Sequence, residues 1–422
     1  MSIALFEDSH FQNFEPVSLT KATFDIKVGA KSFLEEYQFE PMTLLTREYL
    51  ASVTQERHVG CDVNPSHLDT DTIFLNGLLH PATVNADRFL KISHTFAITC
   101  GDDDRLLVAR LDSKDIEYIL DRVATGRPLH VKKLNVEKLT KIDNDHNVPG
   151  ILSNPWDIIG VLENSLAIQV SAMKNEAELD KDVRVDGNNS VTLGKEAKLE
   201  PGTVLDVTKG GIHIGPGAHV GVSRIIGPAF IGGMTQIKNF TIIEASYIGQ
   251  NCRVAGEIEH SIISDYTNKA HTGFIGHSYV GEWTNVGAMT TTSDLKMTYG
   301  TIKMSIGTKK VDTGQNKVGS FFADMVKTSI GTLVYSGRRI GVSSHLHGLV
   351  AQDVPSFTIY GASIGARNVV LELESVIETQ KRMMGRRNQL MSKAYEQMIR
   401  DVFNNTSAER KKNGVRKGKF AL

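Results

Sequence analysis

Ile212-His213-Ile214-Gly215-Pro216-Gly217-Ala218-His219-Val220-Gly221, followed at once by Ile226-Gly227-Pro228-Ala229-Phe230-Ile231-Gly232, decides the architecture of this chain. An aliphatic residue followed by Gly or an acidic residue returns roughly every six positions. The rhythm starts near Leu193-Gly194 and Leu199-Glu200 and continues through Ile248-Gly249, Ile275-Gly276, Val280-Gly281 and Val286-Gly287. It reappears at Val318-Gly319, Ile330-Gly331 and Ile340-Gly341. A six-residue period suits a three-sided coil. Each hexad gives one short strand whose aliphatic residue points into a narrow core, and Gly permits the tight corner. Stacked coils satisfy one another's backbone hydrogen bonds. A Gly-rich sandwich would instead show period-two alternation and turns every 8–12 residues. Residues 189–364 are therefore read as a left-handed parallel β-helix of hexapeptide repeats.

Outward from this block, residues 1–130 alternate between strand-like runs (Ile3–Phe6, Met42–Leu45, Thr72–Leu75) and helix-like ones (Lys31–Tyr37, Arg47–Val53, Lys114–Val123). That alternation predicts an α/β domain with a largely parallel, Rossmann-like sheet. His94–Thr99 and Leu106–Leu111 flank Gly101-Asp102-Asp103-Asp104-Arg105 and read as a hairpin. Residues 131–188, with Asn154-Pro155-Trp156-Asp157 near their centre, read as a connector. In residues 365–422, Leu371 to Val402 carry apolar residues at helical spacing, including Met383, Met384, Met391 and Met398. A C-terminal α-helix capping the solenoid is expected, followed by a basic, solvated tail from Glu409 to Lys419.

The chain has 422 residues, enough for two or three domains at roughly 100–200 residues each. Net charge is −1, which gives no reason to expect a nucleic-acid or membrane surface. Cys61, Cys100 and Cys252 are scattered, with no CxxC pair, so neither a disulfide framework nor a thiolate zinc site is expected. No run of 18 apolar residues occurs, and the opening MSIALFEDSHF is too short for a signal sequence. A soluble cytoplasmic protein is expected.

The solenoid contains one segment that breaks the hexad rhythm, Asn268-Lys269-Ala270-His271-Thr272-Gly273-Phe274-Ile275-Gly276-His277, running on to Trp283-Thr284-Asn285. Acyl transfer to an amine needs a base that titrates near neutrality, which histidine supplies. It also needs donors for a tetrahedral oxyanion, which Asn or backbone N–H groups supply. His271, His277 and Asn285 are the catalytic candidates, expected to share one groove.

The run Ala270 to Ala288 resembles the acetyltransferase segment of the bifunctional glucosamine-1-phosphate acetyltransferase/N-acetylglucosamine-1-phosphate uridyltransferase family. It is closer to a divergent, GlmU-like branch of sugar nucleotidyltransferases. Ser293-Asp294-Leu295-Lys296, Tyr299-Gly300, Val354-Pro355-Ser356-Phe357, Pro155-Trp156-Asp157 and Phe24-Asp25-Ile26-Lys27-Val28-Gly29 resemble that branch too. The resemblance implies His271 as base, Asn285 beside it, and Lys269, Phe274 and Asp294 on the sugar. Phe274 stands where the family has Tyr, and Asp294-Leu295 where it has Asn-Tyr. It also implies coenzyme A lying along the coils between subunits of a homotrimer. Thr332, Ser336, Gly337 and Arg338 are then the contacts expected by position, with Arg339 and Arg367 as phosphate partners.

The implied N-terminal activity is nucleotidyl transfer from an NTP to a sugar 1-phosphate with Mg²⁺. No Gly-rich phosphate loop follows Ile3–Phe6, where the chain reads Glu7-Asp8-Ser9-His10. Relative to the divergent branch, Lys21 replaces Arg, Ala22 replaces Pro, and Leu34 and Glu36 stand in place of Arg and Lys. Lys21 and Lys27 remain as phosphate candidates, Asp8 and Asp25 as metal candidates. The function expected is acetyl transfer from acetyl-CoA to a hexosamine 1-phosphate, with weak or absent nucleotidyl transfer. Alternatives are a scaffold or regulatory subunit on the same fold and a zinc-dependent gamma-class carbonic anhydrase. The last needs three converging histidines. Seven histidines fall in the solenoid, with His271 and His277 one hexad apart and able to stack, but the His pair at five-residue spacing is missing.

Overall fold

In the computed structural model, residues 2–37, 42–80, 89–101, 104–142 and 150–421 are described. The chain divides into two compact units. The first comprises Met1–Phe14, Lys21–Ile26 and Lys31–Asn154, and the second Glu15–Thr20, Lys27–Ala30 and Pro155–Leu422.

The first unit is built on seven strands: β1 (Ile3–Phe6), β2 (Met42–Leu45), β3 (Asp62–Val63), β4 (Ile73–Asn76), β5 (Phe96–Cys100), β6 (Arg105–Arg110) and β7 (Lys138–Ile142). Their order is β3-β2-β1-β4-β6-β5-β7. β1 runs parallel to β2 and β4, and all four of its residues are buried, as expected of a strand covered on both faces. The sheet is largely parallel, as expected, and among the described strands β6 is the exception. β6 is antiparallel to both β4 and β5, because the short turn between β5 and β6 leaves no room for a crossover. Residues 102 and 103 of that turn lie outside the described residues. The helix Ser113–Thr125 is capped by Asp112, which accepts from the Asp115 N–H, and by Gly126 at φ +65°. Its Ile116, Ile119 and Val123 join Phe6, Phe74 and Ala109 in the core.

The expected connector is divided. β7 completes the first sheet, parallel to β5, whereas the helix Pro155–Ser171 belongs to the second unit.

That second unit is a left-handed parallel β-helix with three stacked faces. The first face contains Val204–Asp206, Arg224–Ile226, Ile242–Glu244, Glu257–Glu259 and Phe274–Gly276. The second contains Ile212–Ile214, Ala229–Ile231, Tyr247–Ile248, Ile262–Ile263, Tyr279–Val280 and Phe321–Phe322. The third contains His219–Val220, Gln236–Ile237, Arg253–Val254 and Asn268–Lys269, continued by bridges through Asn285 and Lys327. Ile214, Ile231, Ile248, Ile263, Val280, Phe322 and Ile340 form one inward ladder, fully shielded from water.

Most of the repeat glycines do not sit in left-handed corners, Gly331 at φ +64° being an exception. A Cβ at Gly232 would lie 2.5 Å from the Gln250 nitrogen of the next coil, so glycine is required by close stacking. The left-handed corners are instead taken by Met234, Phe240, Asn251, His260, Tyr266, His277, Trp283 and Met289 at φ between +44° and +63°.

Tyr279 pairs with Phe321, so the coil between them is lengthened by an inserted antiparallel hairpin, Lys303–Ile306 with Lys309–Asp312. Beyond the solenoid, the expected single helix is two, Leu373–Gly385 and Lys393–Asn405, followed by Ser407–Lys412. The first ends at Gly385, and Asn388 at φ +55° reverses the chain. The basic tail is solvated over most of its length, as expected, and is anchored at Arg410 and Val415. Arg410 is buried, with its guanidinium 4.3 Å from the Phe403 ring centroid and donating to the Phe403 carbonyl. No described helix is long and apolar enough to cross a membrane.

Candidate functional site

The coil register distributes the candidate residues over three corners. His271 follows Asn268–Lys269 and precedes Phe274–Gly276, at the corner between the third and first faces. His277 follows Phe274–Gly276 and precedes Tyr279–Val280, at the corner between the first and second. One hexad advances the chain by one face, so the two imidazoles do not stack and do not share a groove within one chain. Asn285 lies in the third face, beside Asn268, whose Nδ2 donates to its Oδ1 at 2.7 Å. His271 is three residues beyond Asn268, about 10 Å of extended chain away.

His271 is exposed. Its corner is held from inside by Lys269, which occupies an inward position of the third-face ladder opposite Val254 and is 1% exposed. The Lys269 ammonium donates to the carbonyls of Ala255 and His271, both at 2.8 Å. Burial pushes its pKa down to about 8. Lys269 thus positions the turn and does not reach a ligand. The stacked turns above continue the corner, since the Met289 N–H donates to the Thr272 carbonyl and the Gly331 N–H to the Ala288 carbonyl. Phe240, Met289 and Ile330 stand exposed along it.

His277 stacks on His260 one coil earlier, with ring centroids 4.9 Å apart and planes 5° from parallel. Its Nδ1 lies 2.7 Å from Oδ2 of Asp294, whose side chain is mostly buried. Burial raises the Asp294 pKa, but the His277 hydrogen bond and charge, with Lys317, bring it below its ordinary value. Around this pair, Glu163 of the helix Pro155–Ser171 meets His260 Nε2 at 3.3 Å, and Lys317 meets Glu259 at 3.1 Å. Asp294 therefore serves His277. Phe274 crowds the same strand, since a Cβ at Gly276 would meet its ring at 2.4 Å.

Glu259, His260 and His277 each offer one ligand atom within 4.8 Å of the others. Parallel stacked rings aim their lone pairs side by side rather than at a common point, and Lys317 already holds Glu259. His271 stands at another corner. The three converging imidazoles of a zinc hydratase are not assembled by these residues.

The residues expected on coenzyme A are largely engaged within the coils. Thr332 is fully buried and donates to the Ser329 carbonyl. The Arg338 Nε donates to the Ser336 carbonyl. Gly337, at φ +66°, faces Ile302 at the base of the inserted hairpin. Arg339 donates to the Ser305 carbonyl, whereas Arg367 is exposed.

In the first unit, two carboxylates follow the central strand β1. Glu7 accepts from the Arg47 guanidinium at 3.0 Å and from the Thr23 N–H at 2.8 Å. Asp8 forms an ion pair with Arg105 and accepts from Asn76 Nδ2 and the His10 N–H, and against burial the Arg105 guanidinium and the His10 side chain hold its pKa well below the usual carboxylate range. Asp25 accepts from His58 Nε2 at 2.7 Å. Lys21 is 2% exposed, and Lys27 belongs to the other unit, with its ammonium 5.9 Å from the Tyr247 ring. Both Asp8 oxygens are engaged, whereas Asp25 Oδ2 is buried with no hydrogen-bond partner, so of the two metal candidates only Asp25 keeps an oxygen for a cation.

Sequence reading did not single out Glu163 or Lys317, and it counted His260 only among the seven solenoid histidines, without its stack on His277. The 17-residue offset from His260 to His277 is one coil, so aligning coils rather than hexads would have revealed the stack.

Residues 3–178 match the model of a family described as sugar nucleotidyl transferase. Over part of its length the chain is similar to bifunctional GlmU proteins, at modest identity. It is 26% identical over 209 residues to the bifunctional protein GlmU of Synechococcus elongatus, covering 43% of this chain and 45% of that protein. It is 32% identical over 123 residues to the bifunctional protein GlmU of Acaryochloris marina, covering 25% and 27%. The match thus spans less than half the length of these relatives. Among solved structures, Arabidopsis UDP-N-acetylglucosamine acyltransferase covers 56% of this chain and 92% of its own at 14% identity, with a TM-score of 0.27, too slight a likeness to bear on chemistry.

Proposed function

We propose that this chain is a transferase of nucleotide-sugar synthesis whose solenoid moves an acetyl group from acetyl-CoA to the amine of a hexosamine 1-phosphate. The amine attacks the thioester carbonyl, the C–S bond breaks, and coenzyme A leaves as its thiol. His271 takes the amine proton. The observation that carries this reading is the exposed imidazole of His271 on a corner pinned from within by Lys269. The exposed row Phe240, Met289 and Ile330 beside it supports a homotrimer in which a second copy closes the groove. Asn285 and the residues near Arg338 would then act from neighbouring positions on the assembled surface. Nucleotidyl transfer by the first unit is weak in this reading.

The test is thiol release from acetyl-CoA with a panel of hexosamine 1-phosphates. Loss of a general base lowers the rate by ~10²–10⁴. His271→Ala is expected to do so with an unchanged circular dichroism spectrum. Wild-type turnover in that variant would transfer the role to His277, whose bond to Asp294 fixes its tautomer in the manner of a base with an orienting acid. No turnover by the wild-type protein on the whole panel would favour a scaffold. A stable monomer by light scattering would remove the shared groove.

A further inference from the structure

At the corner between the second and third faces, Tyr266 and Trp283 stack with centroids 4.1 Å apart and planes 4° from parallel. They wall a pocket of about 260 Å³. Asn268, Asn285 and Lys327, consecutive in the third-face column, form its side, and Met383, Arg386 and Arg387 close it from the end of the helix Leu373–Gly385.

Cations outnumber carboxylates here, although Asp265 and Glu282 lie near enough for their charges, after burial, to raise the Tyr266 pKa. Arg386, Arg387 and Lys327 face the pocket, and Arg253 lies close enough that the Arg387 charge, after burial, lowers its pKa. Among the described residues, none of these four cations has a carboxylate within salt-bridge distance. The Lys327 ammonium donates to the Met325 carbonyl, and burial pushes its pKa down to about 8. Nε of Arg387 is buried and has no acceptor. The neighbouring carboxylate Asp265 is occupied by the Gln250 N–H and side chain and by the Tyr247 hydroxyl. Asn268 donates to Asn285 Oδ1, which leaves the Asn285 amide N–H₂ as further donors. A helix C-terminus attracts cations, but only by a fraction of a charge. It accounts for neither Lys327 nor Arg253, which come from the solenoid.

Like charges gathered around a cavity repel unless an anion joins them. Arginine forks suit phosphate oxygens, and the edges of the stacked Tyr266 and Trp283 rings give an apolar flank to a ring attached to them. We propose that this pocket binds the diphosphate of a nucleotide, held by Lys327, Arg386, Arg387 and the Asn285 amide, with the nucleoside against Tyr266 and Trp283. The same chemistry is carried by a free nucleoside diphosphate and by the ADP end of coenzyme A. Within one chain the site lies at a different corner from His271, and it shares Asn285 with the acyl-transfer reading above.

Trp156 and Trp283 are the only tryptophans, so Trp156→Phe isolates a reporter in the pocket wall. ADP, UDP, coenzyme A, inorganic pyrophosphate and the nucleosides adenosine and uridine are titrated into full-length Trp156→Phe protein by fluorescence, and into wild-type protein by calorimetry. Saturable binding of the diphosphates is expected, weakening as salt is raised. Arg386→Ala/Arg387→Ala should weaken it roughly tenfold or more. Arg184→Ala, an exposed arginine paired with Asp186, should not change it. Binding of coenzyme A and ADP but not UDP would identify the coenzyme as the source, and equal binding of all diphosphates would identify the diphosphate itself. No binding to folded wild-type protein at millimolar ligand, binding of nucleosides alone, or an affinity unaffected by the double variant would overturn the proposal.

Discussion

His277 and Asp294 form the one histidine–carboxylate hydrogen bond within 2.7 Å among the described residues of the solenoid, at the corner where the inserted hairpin leaves the coil. Lys317, which returns the chain from that hairpin, reinforces the charge of Asp294. Asp294 thus ties the base of the insertion to the stacked His260–His277 column. If the pair is structural, Asp294→Asn should lower stability by about 1.5–3 kcal/mol, the usual worth of a hydrogen bond to a charged group, and leave acetyl transfer within a few-fold of wild type. Urea denaturation and thiol-release kinetics on the same preparation measure both. A rate loss of ~10²–10⁴ with unchanged stability would make His277 the base.

Acid sensitivity should arise at His345. Burial, with the charge of Lys327, pushes its pKa down to about 4, against an ordinary histidine value of 6.5. The sign follows from the depressed folded value. Between pH 6.5 and 4 the unfolded chain binds a proton that the folded one refuses, so stability falls as pH drops through this window. The contribution approaches about 3 kcal/mol near pH 4. His345→Gln should flatten that part of the stability–pH curve, read from urea midpoints at pH 7, 6, 5 and 4.5. An unchanged slope would place the sensitivity elsewhere.

The Glu7–Arg47 pair should be costly to break from one side. Both side chains are almost fully buried, and Glu7 also serves the Thr23 and Arg47 backbone N–H groups. Arg47→Met leaves a buried carboxylate unpaired and should destabilise the first unit by about 3–5 kcal/mol. Glu7→Gln/Arg47→Met should cost less than Arg47→Met alone, because the double change removes the charge with its partner. Denaturation of the three proteins, followed by circular dichroism, supplies the comparison.

The difference between what was legible and what was not has a physical source. Ile3–Phe6 and Met42–Leu45 are strands to the residue because a strand buried on both faces must be continuously apolar. The solenoid was legible because Ile214, Ile231 and Ile248 repeat a one-dimensional environment. The separation of His271 from His277 was not, because hexad spacing gives the period but not which corner a residue occupies. Lys269 was unreadable for a related reason. A lysine in an inward column is tolerated only because two carbonyls lie within its reach, and those come from turns remote in pattern. The pocket beside Trp283 needed Arg386 and Arg387 from a helix whose end the apolar periodicity did not mark.

Nucleotidyl transfer by the first unit should be slow, for an electrostatic reason visible at the end of β1. Ligands of parallel α/β sheets bind beyond the carboxyl ends of the strands. Here that end carries Glu7 and Asp8, and the arginines nearest to them, Arg47 and Arg105, are engaged in neutralising those carboxylates. The backbone continues into a short turn, Ser9–Gln12, rather than a glycine loop with N–H groups turned toward a phosphate. Lys21 is buried, and Lys27 belongs to the other unit. A transferring phosphoryl group needs cations or aligned donors held in fixed geometry around it, and those present are already committed. Pyrophosphate release from UTP, dTTP and the other NTPs with hexose and hexosamine 1-phosphates, at saturating Mg²⁺, should therefore stay below about 1 s⁻¹, at the low end of the usual enzyme range. Faster turnover would mean that Arg47 or Arg105 exchanges its carboxylate for the triphosphate when substrate binds. In that case Arg105→Lys should reduce turnover more strongly than it reduces stability.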